Sequence, residues 1–279
     1  MHLDLEHLKS WIGREDYSSE VLTAALAARF NATFDRSSPL GEGADAPILI
    51  HFCLGQPAVP TAELGPDGHP ARGGFLPPVP LPRRMWAGGA IEFHAPLKIG
   101  DVVTRRSVIE DVTVKQGRSG VLCFVTVLHH VESGGRPVLN ERQDIVYRDG
   151  PIAAATAGKQ PKMAPVGADR KPVAAGTPLL FRYSALTFNG HRIHYDAPYA
   201  QTEECYPGLV VHGPLQATML CQFAADLRGA APRDFRFRSL SPIFGPGEFT
   251  LNASSDGGGL KLWTAANEGP VGMEATAKW

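Results

Sequence analysis

The chain has 279 residues, 43% of them hydrophobic and 20% charged, a globular composition long enough for one large domain or two of ordinary size. The formal net charge of −1 provides no general attraction to nucleic acid or to an anionic membrane. The four cysteines Cys53, Cys123, Cys205 and Cys221 are widely spaced without a C-x-x-C pair, which argues against a disulfide framework and fits a reducing cytoplasm.

The N-terminal residues and the hydropathy of the chain predict a soluble, cytoplasmic protein. The first residues show neither the basic region nor the apolar core of a secretion signal. No apolar run reaches the roughly 18–20 residues that are needed to cross a bilayer. We therefore expect no membrane and no nucleic-acid partner.

The first half of the chain is predicted to form one helix followed by an antiparallel meander. Apolar residues recur at helical spacing from Ser18 to Phe34. The apolar run from Pro47 to Leu54 fits either a helical turn or the end of a strand. From Gly89 to Arg148, alternating and β-branched runs separated by turns predict strands.

A segment rich in Gly and Pro covers residues 65–82, ahead of these strands. Its composition excludes a helix or a central strand. A long loop of this kind is either functional or a surface excursion without a role, and the composition leaves both open. The cluster Arg83-Arg84-Met85-Trp86 that follows is suited to meeting a phosphate and a ring, or else sets exposed arginines beside a buried tryptophan.

The second half repeats the order of helix and then strands. Residues 151–178 are low in aromatics and rich in Ala, Gly, Pro and Lys, and are predicted to be a linker. A helix is predicted from Gly213 to Leu227, with Pro214 in its first turn, and strands follow between Asp234 and Trp279. The Gly-Asp pair at positions 100–101 recurs as Gly-Glu at 247–248, which suggests a duplication.

These patterns predict an α+β fold of two repeats, each with a helix and an antiparallel sheet, whose sheets join edge to edge. We place the N-terminal repeat at residues 1–150, the linker at 151–178 and the C-terminal repeat at 179–279. We expect a site at the seam between the two sheets. Only the second repeat keeps the polar groups, so the first repeat is expected to be non-catalytic and to shape the substrate site.

Polar residues concentrate in Thr187-Phe-Asn-Gly-His-Arg-Ile-His-Tyr-Asp. Asn189, His191, His194 and Asp196 fall within eight residues of one another, and Gly213 begins the predicted helix shortly afterwards. Polar groups able to hold a water thus lie close in sequence to backbone N–H groups able to hold an oxyanion.

This segment resembles the hydratase motif of the MaoC-like, R-specific enoyl-CoA hydratases, which usually reads Ser-Gly-Asp-x-Asn-Pro-x-His-x-Asp. Val211-His-Gly resembles the His-Gly at the start of that family's central helix, and Phe93-His-Ala-Pro-Leu-Lys-Ile-Gly-Asp resembles a strand turn of its N-terminal repeat. Together with Phe75-Leu-Pro-Pro-Val-Pro-Leu-Pro-Arg-Arg-Met-Trp, the motifs resemble a narrower group that includes itaconyl-CoA and mesaconyl-C4-CoA hydratases and type 2 mitochondrial 3-hydroxyacyl-thioester dehydratases.

The resemblance implies a double hotdog fold with the active site in the C-terminal repeat, an acyl-CoA thioester substrate and a hydro-lyase activity. The substrate it indicates first is itaconyl-CoA, or else mesaconyl-C4-CoA, hydrated to citramalyl-CoA in itaconate degradation. A fatty 3-hydroxyacyl-thioester dehydratase and a non-catalytic acyl-CoA binder are the alternatives. Coenzyme A is part of the substrate, no separate cofactor is expected, and a homodimer is compatible with this expectation.

Three groups are expected to carry the chemistry. His194 is the candidate general base, since an unperturbed imidazole titrates near pH 6.5. The Asn189 side-chain oxygen would orient the water, and the N–H of Gly213 would stabilise the enolate oxygen. Asn189 replaces the aspartate of the broader family and His191 its asparagine; because an amide cannot take a proton, the usual Asp/His division of labour does not transfer unchanged.

A dicarboxylic acyl group would need a cation for its free carboxylate, and Arg83, Arg84 and Arg192 are the candidates. The other residues expected to contact substrate are Trp86, Tyr195, His191 and His212. His191 is alternatively exposed, and His212 alternatively structural.

Asp196 either caps the next helical turn or tunes His194. A metal on His191, His194 and Asp196 is not expected, because the spacing lacks a distant third partner.

Overall fold

One antiparallel sheet of ten strands organises the protein in the computed structural model, which describes residues 3–117, 120–149 and 162–279. Its strands are β1 Glu15–Val21, β2 Arg83–Phe93, β3 Val102–Gly117, β4 Gly120–Ser133, β5 Arg136–Arg148, β6 Asp169–Ala175, β8 Asp234–Ser239, β10 Gly247–Asp256, β11 Gly259–Ala266 and β12 Val271–Lys278. A separate short pair consists of β7 Leu209–Val210 and β9 Phe244–Gly245.

Five α-helices accompany these strands in the described part of the chain. They are α1 Leu5–Lys9, α2 Ala24–Thr33, α3 Thr177–Leu186, α4 Ala197–Thr202 and α5 Gly213–Arg228. Three 3-10 turns span Ile50–Cys53, Thr61–Glu63 and Arg192–His194. None of the described helices has the length and apolar character needed to cross a membrane.

The two halves of the chain meet inside this one sheet. The strand order is β1-β3-β4-β5-β2-β8-β12-β11-β10-β6, so β2 of the first half pairs antiparallel with β8 of the second. Gly88 lies opposite Arg238 at this seam, and a Cβ on Gly88 would lie 2.6 Å from the Phe237 carbonyl oxygen. Glycine is therefore required there, and the predicted edge-to-edge junction is confirmed.

The two halves differ in what covers the sheet. In the second half, α5 packs against β10, β11 and β12 and buries Leu215, Leu220 and Phe223. Its Pro lies in the first turn, and its C-cap Gly229 has a φ of 71°, which favours glycine. In the described first half, α2 shares a core with Ile91 and Val103, while α1 and the loop around Val79 and Leu81 cover Ile109, Val125 and neighbouring residues.

The helix predicted over Ser18–Phe34 begins later than the sequence indicated. Its first residues belong to β1, where Ser18 pairs with Arg105 and Val21 with Val102. The helix α2 starts at Ala24 because the Thr23 hydroxyl accepts the Leu26 N–H at 3.1 Å. Pairing with a distant strand thus overrides a helical spacing of apolar residues, and the adjacent run 47–54 forms a 3-10 turn.

The predicted linker 151–178 is wrong in its second part. Residues 169–175 form β6, which pairs with β10 at the edge of the sheet, and α3 starts at Thr177. Pro172 is tolerated because β6 has a partner on one side only, so an N–H facing outward is dispensable. Residues 151–161 lie outside the described part of the chain.

All four cysteines are free thiols, as the spacing predicted for a chain without a disulfide framework. Cys53, Cys123 and Cys221 are buried, and Cys205 is exposed. Burial raises the pKa of Cys53 to about 12 and that of Cys123 to about 11, so both stay protonated near neutral pH.

The first half also buries a charged cluster around Glu141. The Glu141 carboxylate lies 3.3 Å from His51 Nε2, and Arg105 donates to the carbonyl oxygens of Leu54 and Gly55 nearby. Burial alone would raise the pKa of Glu141, but the close contact with His51 and the neighbouring His129 and Arg105 outweigh it and lower that pKa. The carboxylate is therefore charged and held by its surroundings.

Candidate active site

The predicted motif begins where α3 ends in a tight turn. Phe188 has a φ of 49°, in the left-handed region, and the Asn189 N–H donates to the Ser184 carbonyl oxygen at 2.8 Å. This bond, from the second residue past the cap back into the helix, closes a Schellman turn. The turn reverses the chain and directs residues 189–194 toward the start of α5.

His194 lies in the 3-10 turn and is 7% exposed. Its Nδ1 lies 2.7 Å from the Val210 carbonyl oxygen. Because a carbonyl only accepts, Nδ1 carries the proton and Nε2 presents a lone pair. Burial lowers the pKa of His194 to about 4, although the hydrogen bond to Val210 opposes this shift. At neutral pH the imidazole is therefore a neutral proton acceptor.

His194 belongs to a histidine cluster formed by His69, His191, His194 and His212. The rings of His194 and His212 stack with centroids 3.6 Å apart. His191 lies 5.4 Å from His194 on one side and 4.2 Å from His69 on the other. Burial, followed by the neighbouring imidazoles, holds the pKa values of His191 and His212 well below 6.5, so these rings are neutral.

The N-terminus of α5 adjoins this cluster. His212 is the residue before the helix, is fully buried and shares a 2.8 Å hydrogen bond with the Ser184 hydroxyl. Gly213 follows it, and a first-turn N–H has no partner within its own helix. The stacking of His212 on His194 thus brings together the two groups that the sequence predicted, the imidazole at 194 and the helix N-terminus at 213.

Trp86 forms the wall beside Gly213. A Cβ added to Gly213 would lie 3.1 Å from Trp86 Cε3, so the glycine leaves no space between them. The Trp86 ring also packs on Phe52 and Phe237, with centroids 5.6 and 4.7 Å away. A residue of the first half therefore borders the helix N-terminus of the second.

Asn189 is engaged locally. Its Oδ1 accepts the backbone N–H of His191 at 3.0 Å, which fixes the turn of the motif. An amide oxygen has a second lone pair, so this bond leaves one acceptor direction for a water. The bond from His191 and a bond from a water both need an acceptor that does not titrate, and an amide oxygen is such an acceptor.

The sequence missed two residues of the site, Asp67 and His69. The loop that carries them packs on the motif so closely that a Cβ on Gly68, whose φ is 87°, would lie 1.9 Å from the Gly190 carbonyl oxygen. The Arg192 N–H donates to the Asp67 carbonyl oxygen at 2.9 Å. The only signal in the sequence was the Gly/Pro-rich composition of residues 65–82, for which a functional loop was one of two alternatives.

The three candidate arginines have different surroundings. Arg192 is paired with Asp196 at 2.8 Å, and Arg83 with Glu204 at 2.6 Å. Arg84 forms no ion pair with any described residue and lies directly opposite Tyr147 in the β2–β5 pairing. Burial lowers the pKa values of His69 and His191, and the charge of Arg84 adds to this shift.

Tyr195 and Asp196 have structural partners. Tyr195 is 46% exposed and donates its hydroxyl to the Gly190 carbonyl oxygen at 2.8 Å. Asp196 caps α4 by accepting the Tyr199 N–H at 3.1 Å, and Arg192 lowers its pKa. The cap alternative for Asp196 is therefore confirmed, and its partner is Arg192 rather than His194.

Metal-ligating atoms converge at a place that the sequence did not indicate. Among the described residues, donor atoms of Asp67, His69 and His191 lie within 4.8 Å of one another. Both Asp67 oxygens already accept from His69, from its N–H and from Nδ1, each at 3.0 Å. Burial alone would raise the pKa of Asp67, but these bonds to His69 lower it, so the carboxylate is satisfied within the protein.

Comparison with known proteins found relatives that match most of this chain. Residues 49–245 match the model of a family described as hydroxyacyl-thioester dehydratase type 2. A mesaconyl-C(4)-CoA hydratase of Chloroflexus aurantiacus is 43% identical over 272 residues, which cover 96% of each chain.

Solved structures show the same fold. A MaoC-like dehydratase from Phytophthora capsici has a TM-score of 0.72 at 14% identity and covers 99% of this chain and 98% of its own. A Mycobacterium tuberculosis protein with a double hotdog fold has a TM-score of 0.60 at 13% identity over 96% of each chain. The predicted double hotdog is confirmed.

Proposed function

Because the chain belongs to the hydroxyacyl-thioester dehydratase type 2 family, we propose that it is a hydro-lyase that adds water to the double bond of an enoyl-CoA thioester. The observation that carries the proposal is the neutral His194, with its Nε2 lone pair, beside the N-terminus of α5. The first group suits a general base, and the second suits a developing enolate.

In this mechanism the water oxygen bonds to the β-carbon while Nε2 of His194 takes a proton from the water. The π electrons move toward the thioester, whose oxygen becomes negative and accepts a hydrogen bond from the Gly213 N–H. The imidazolium then returns the proton to the α-carbon, and the thioester carbonyl re-forms. The Val210 carbonyl, which accepts Nδ1–H, supports the transient positive charge.

Asn189 supports the assignment of the general base to His194. Because an amide does not titrate, His194 is left as the titrating group of the motif next to the water. Its free lone pair would accept a hydrogen bond from the water and direct the oxygen toward the β-carbon. We assign both proton transfers to His194, because an amide cannot take part in either.

At a finer level, we propose a branched dicarboxylic acyl-CoA as the substrate. Mesaconyl-C4-CoA is favoured because the 43% identical relative is named for it and because its double bond is conjugated with the thioester. Itaconyl-CoA, the substrate of itaconate degradation, has the double bond one carbon further away. It would first need an α-proton removed and the terminal carbon protonated. Hydration of either substrate, mesaconyl-C4-CoA or itaconyl-CoA, gives citramalyl-CoA.

The test is a hydration assay with mesaconyl-C4-, itaconyl- and crotonyl-CoA, comparing the wild type with His194→Gln. We expect the variant to lose roughly 10²- to 10⁴-fold in kcat/KM. His130→Gln, on an exposed position of β4, is the matched control and should retain activity.

Full activity in His194→Gln would overturn the mechanism. A wild type inactive on every enoyl-CoA would favour an acyl-CoA binder, and a preference for long 3-hydroxyacyl thioesters would favour the fatty-acid alternative. For itaconyl-CoA in deuterated water, a product methyl group without deuterium would rule out the double-bond shift.

A further inference from the structure

We infer that Arg84 binds a carboxylate attached to the β-carbon of the acyl group and thereby selects dicarboxylic over monocarboxylic thioesters. The inference rests on the proposed function and concerns the same site. It starts from a difference between the arginines near the histidine cluster: most are held by carboxylates or carbonyl oxygens, and Arg84 forms no ion pair with a described residue.

Three neighbouring guanidinium groups are already used. Arg83 and Arg192 are paired with Glu204 and Asp196. Arg72 donates to the carbonyl oxygens of Val79 and Pro82, both at 2.7 Å, and so holds the loop that precedes β2. Arg83 keeps one unpartnered donor, Nη1, but its charge and that of Arg192 are already matched by carboxylates, and Arg72 is committed to the loop.

Arg84 differs from these because no carboxylate in the described part of the chain forms an ion pair with it. Tyr147 lies directly opposite it in the β2–β5 pairing; burial raises the pKa of the Tyr147 hydroxyl, and the charge of Arg84 opposes that shift. A guanidinium has five donors in a fixed fork, so several remain for a ligand. The side chain is half-buried, which leaves it reachable while reducing competition from water.

The position of Arg84 on β2 fits the acyl group. Side chains two residues apart on a strand point to the same face about 6–7 Å from each other. Arg84 therefore shares its face with Trp86, which touches Gly213, and its charge also acts on His191. An acyl group whose thioester oxygen is at Gly213 and whose β-carbon is near His194 would direct a β-carboxylate toward Arg84.

The other charged groups on this side do not oppose binding. Asp67 is the acidic residue of the histidine cluster, and both of its oxygens accept from His69. The rings of His69 and His191 are neutral because burial lowers their pKa values. Arg84 and Arg72 are thus the positive charges that act on His69, and Arg72 is held by the carbonyl oxygens of Val79 and Pro82.

Two unreactive thioesters isolate this interaction. Succinyl-CoA carries a carboxylate on its β-carbon, and butyryl-CoA has a methyl group in the same place. Calorimetry would measure their binding to wild type, Arg84→Gln and Arg84→Lys, with Arg238→Gln as a control in an exposed ion pair on β8.

We expect the wild type and Arg238→Gln to bind succinyl-CoA roughly 10- to 100-fold more tightly than butyryl-CoA, as for hydrogen bonds to a charged group. Arg84→Gln should abolish the preference while retaining butyryl-CoA affinity. Arg84→Lys should retain part of it, because a lysine keeps the charge without the fork.

Equal affinities in the wild type, or an undiminished preference in Arg84→Gln, would overturn the assignment. Should Arg84→Gln fail to fold, an Arg84→Lys variant that keeps the full wild-type preference for succinyl-CoA would also overturn the assignment. Binding does not depend on turnover, so a failure of the proposed hydratase activity would appear separately, in the hydration assay.

Discussion

The imidazole of His194 stacks on that of His212, with ring centroids 3.6 Å apart and planes inclined by 18°. Two rings in such contact and both buried cannot easily carry a charge each, since burial and mutual repulsion both disfavour the protonated forms. The arrangement therefore keeps the proposed base unprotonated over a wide pH range. It also fixes the distance between that base and the start of α5.

The first prediction concerns pH. Burial lowers the pKa of His194 to about 4, and the proposed mechanism uses the neutral form. We therefore expect kcat/KM to stay constant as the pH falls from 7 to 5 and to decrease only as the pH passes through about 4. The measurement is a pH–rate profile, with circular dichroism at each pH to verify folding. A midpoint near the unperturbed value of 6.5 would contradict the buried, neutral state.

The second prediction concerns the contact between the loop 65–69 and the motif. A Cβ on Gly190 would lie 2.5 Å from the Gly68 carbonyl oxygen, so Gly190→Ala must displace the loop and with it His69. Misplacing a site by about 1 Å can cost roughly a hundredfold, and we expect kcat/KM to fall by at least about tenfold. Gly74→Ala is the matched control, because a Cβ there meets nothing within 4 Å. Equal activity in both variants would show that the loop does not position the site.

The third prediction concerns metal. Since both Asp67 oxygens are used by His69, we expect the cluster of Asp67, His69 and His191 to need no ion. Dialysis against a chelator should leave kcat and KM unchanged, measured before and after treatment. A loss of activity that an added divalent ion restores would instead indicate a metal site there.

The fourth prediction concerns stability. Glu141→Gln removes a buried carboxylate from His51 and takes from Arg105 the largest of its compensating charges, leaving Asp16 and Glu20, and such a loss typically costs about 3–5 kcal/mol. Glu92→Gln breaks an exposed pair with Arg233 and should cost less than about 1 kcal/mol. Urea denaturation at pH 7 measures both free energies of unfolding.

The same pair of variants has an expected pH dependence. The folded-state pKa of Glu141 is lowered from 4.5, so its stabilising contribution is present above that pH and is lost as the pH falls below it. The stability gap between wild type and Glu141→Gln should therefore narrow under acidic conditions. If Glu141→Gln lost no more free energy of unfolding at pH 7 than Glu92→Gln, the stabilising role of the Glu141 carboxylate would be refuted.

Continuous stretches of sequence predicted much of the fold and part of the site. The helix α5 is marked by Pro214, by its apolar face and by Gly229, so its bounds follow from local chemistry. His194 and Gly213 belong to short motifs next to elements of this kind, which is why their proximity could be anticipated.

Long-range pairing and loop packing could not be anticipated. Residues 18–21 become a strand because β3 offers a partner, and residues 169–175 because β10 has a free edge. His69 reaches the cluster only because two glycines, Gly68 and Gly190, let their backbones touch. The difference between Arg84 and Arg83 depends on which acidic residue the fold brings near, and no local pattern encodes that.

The β2–β8 seam has an evolutionary consequence. Main-chain hydrogen bonds hold the halves together there, so the junction tolerates exchange of side chains on β2, apart from the glycines that need close approach. Arg84 and Trp86 lie on β2 just ahead of the residues that pair with β8, whereas His194 and Gly213 lie beyond β6 in the other half. Under the proposed function, an exchange at Arg84 would therefore change which substrate is accepted without touching the residues assigned to the reaction.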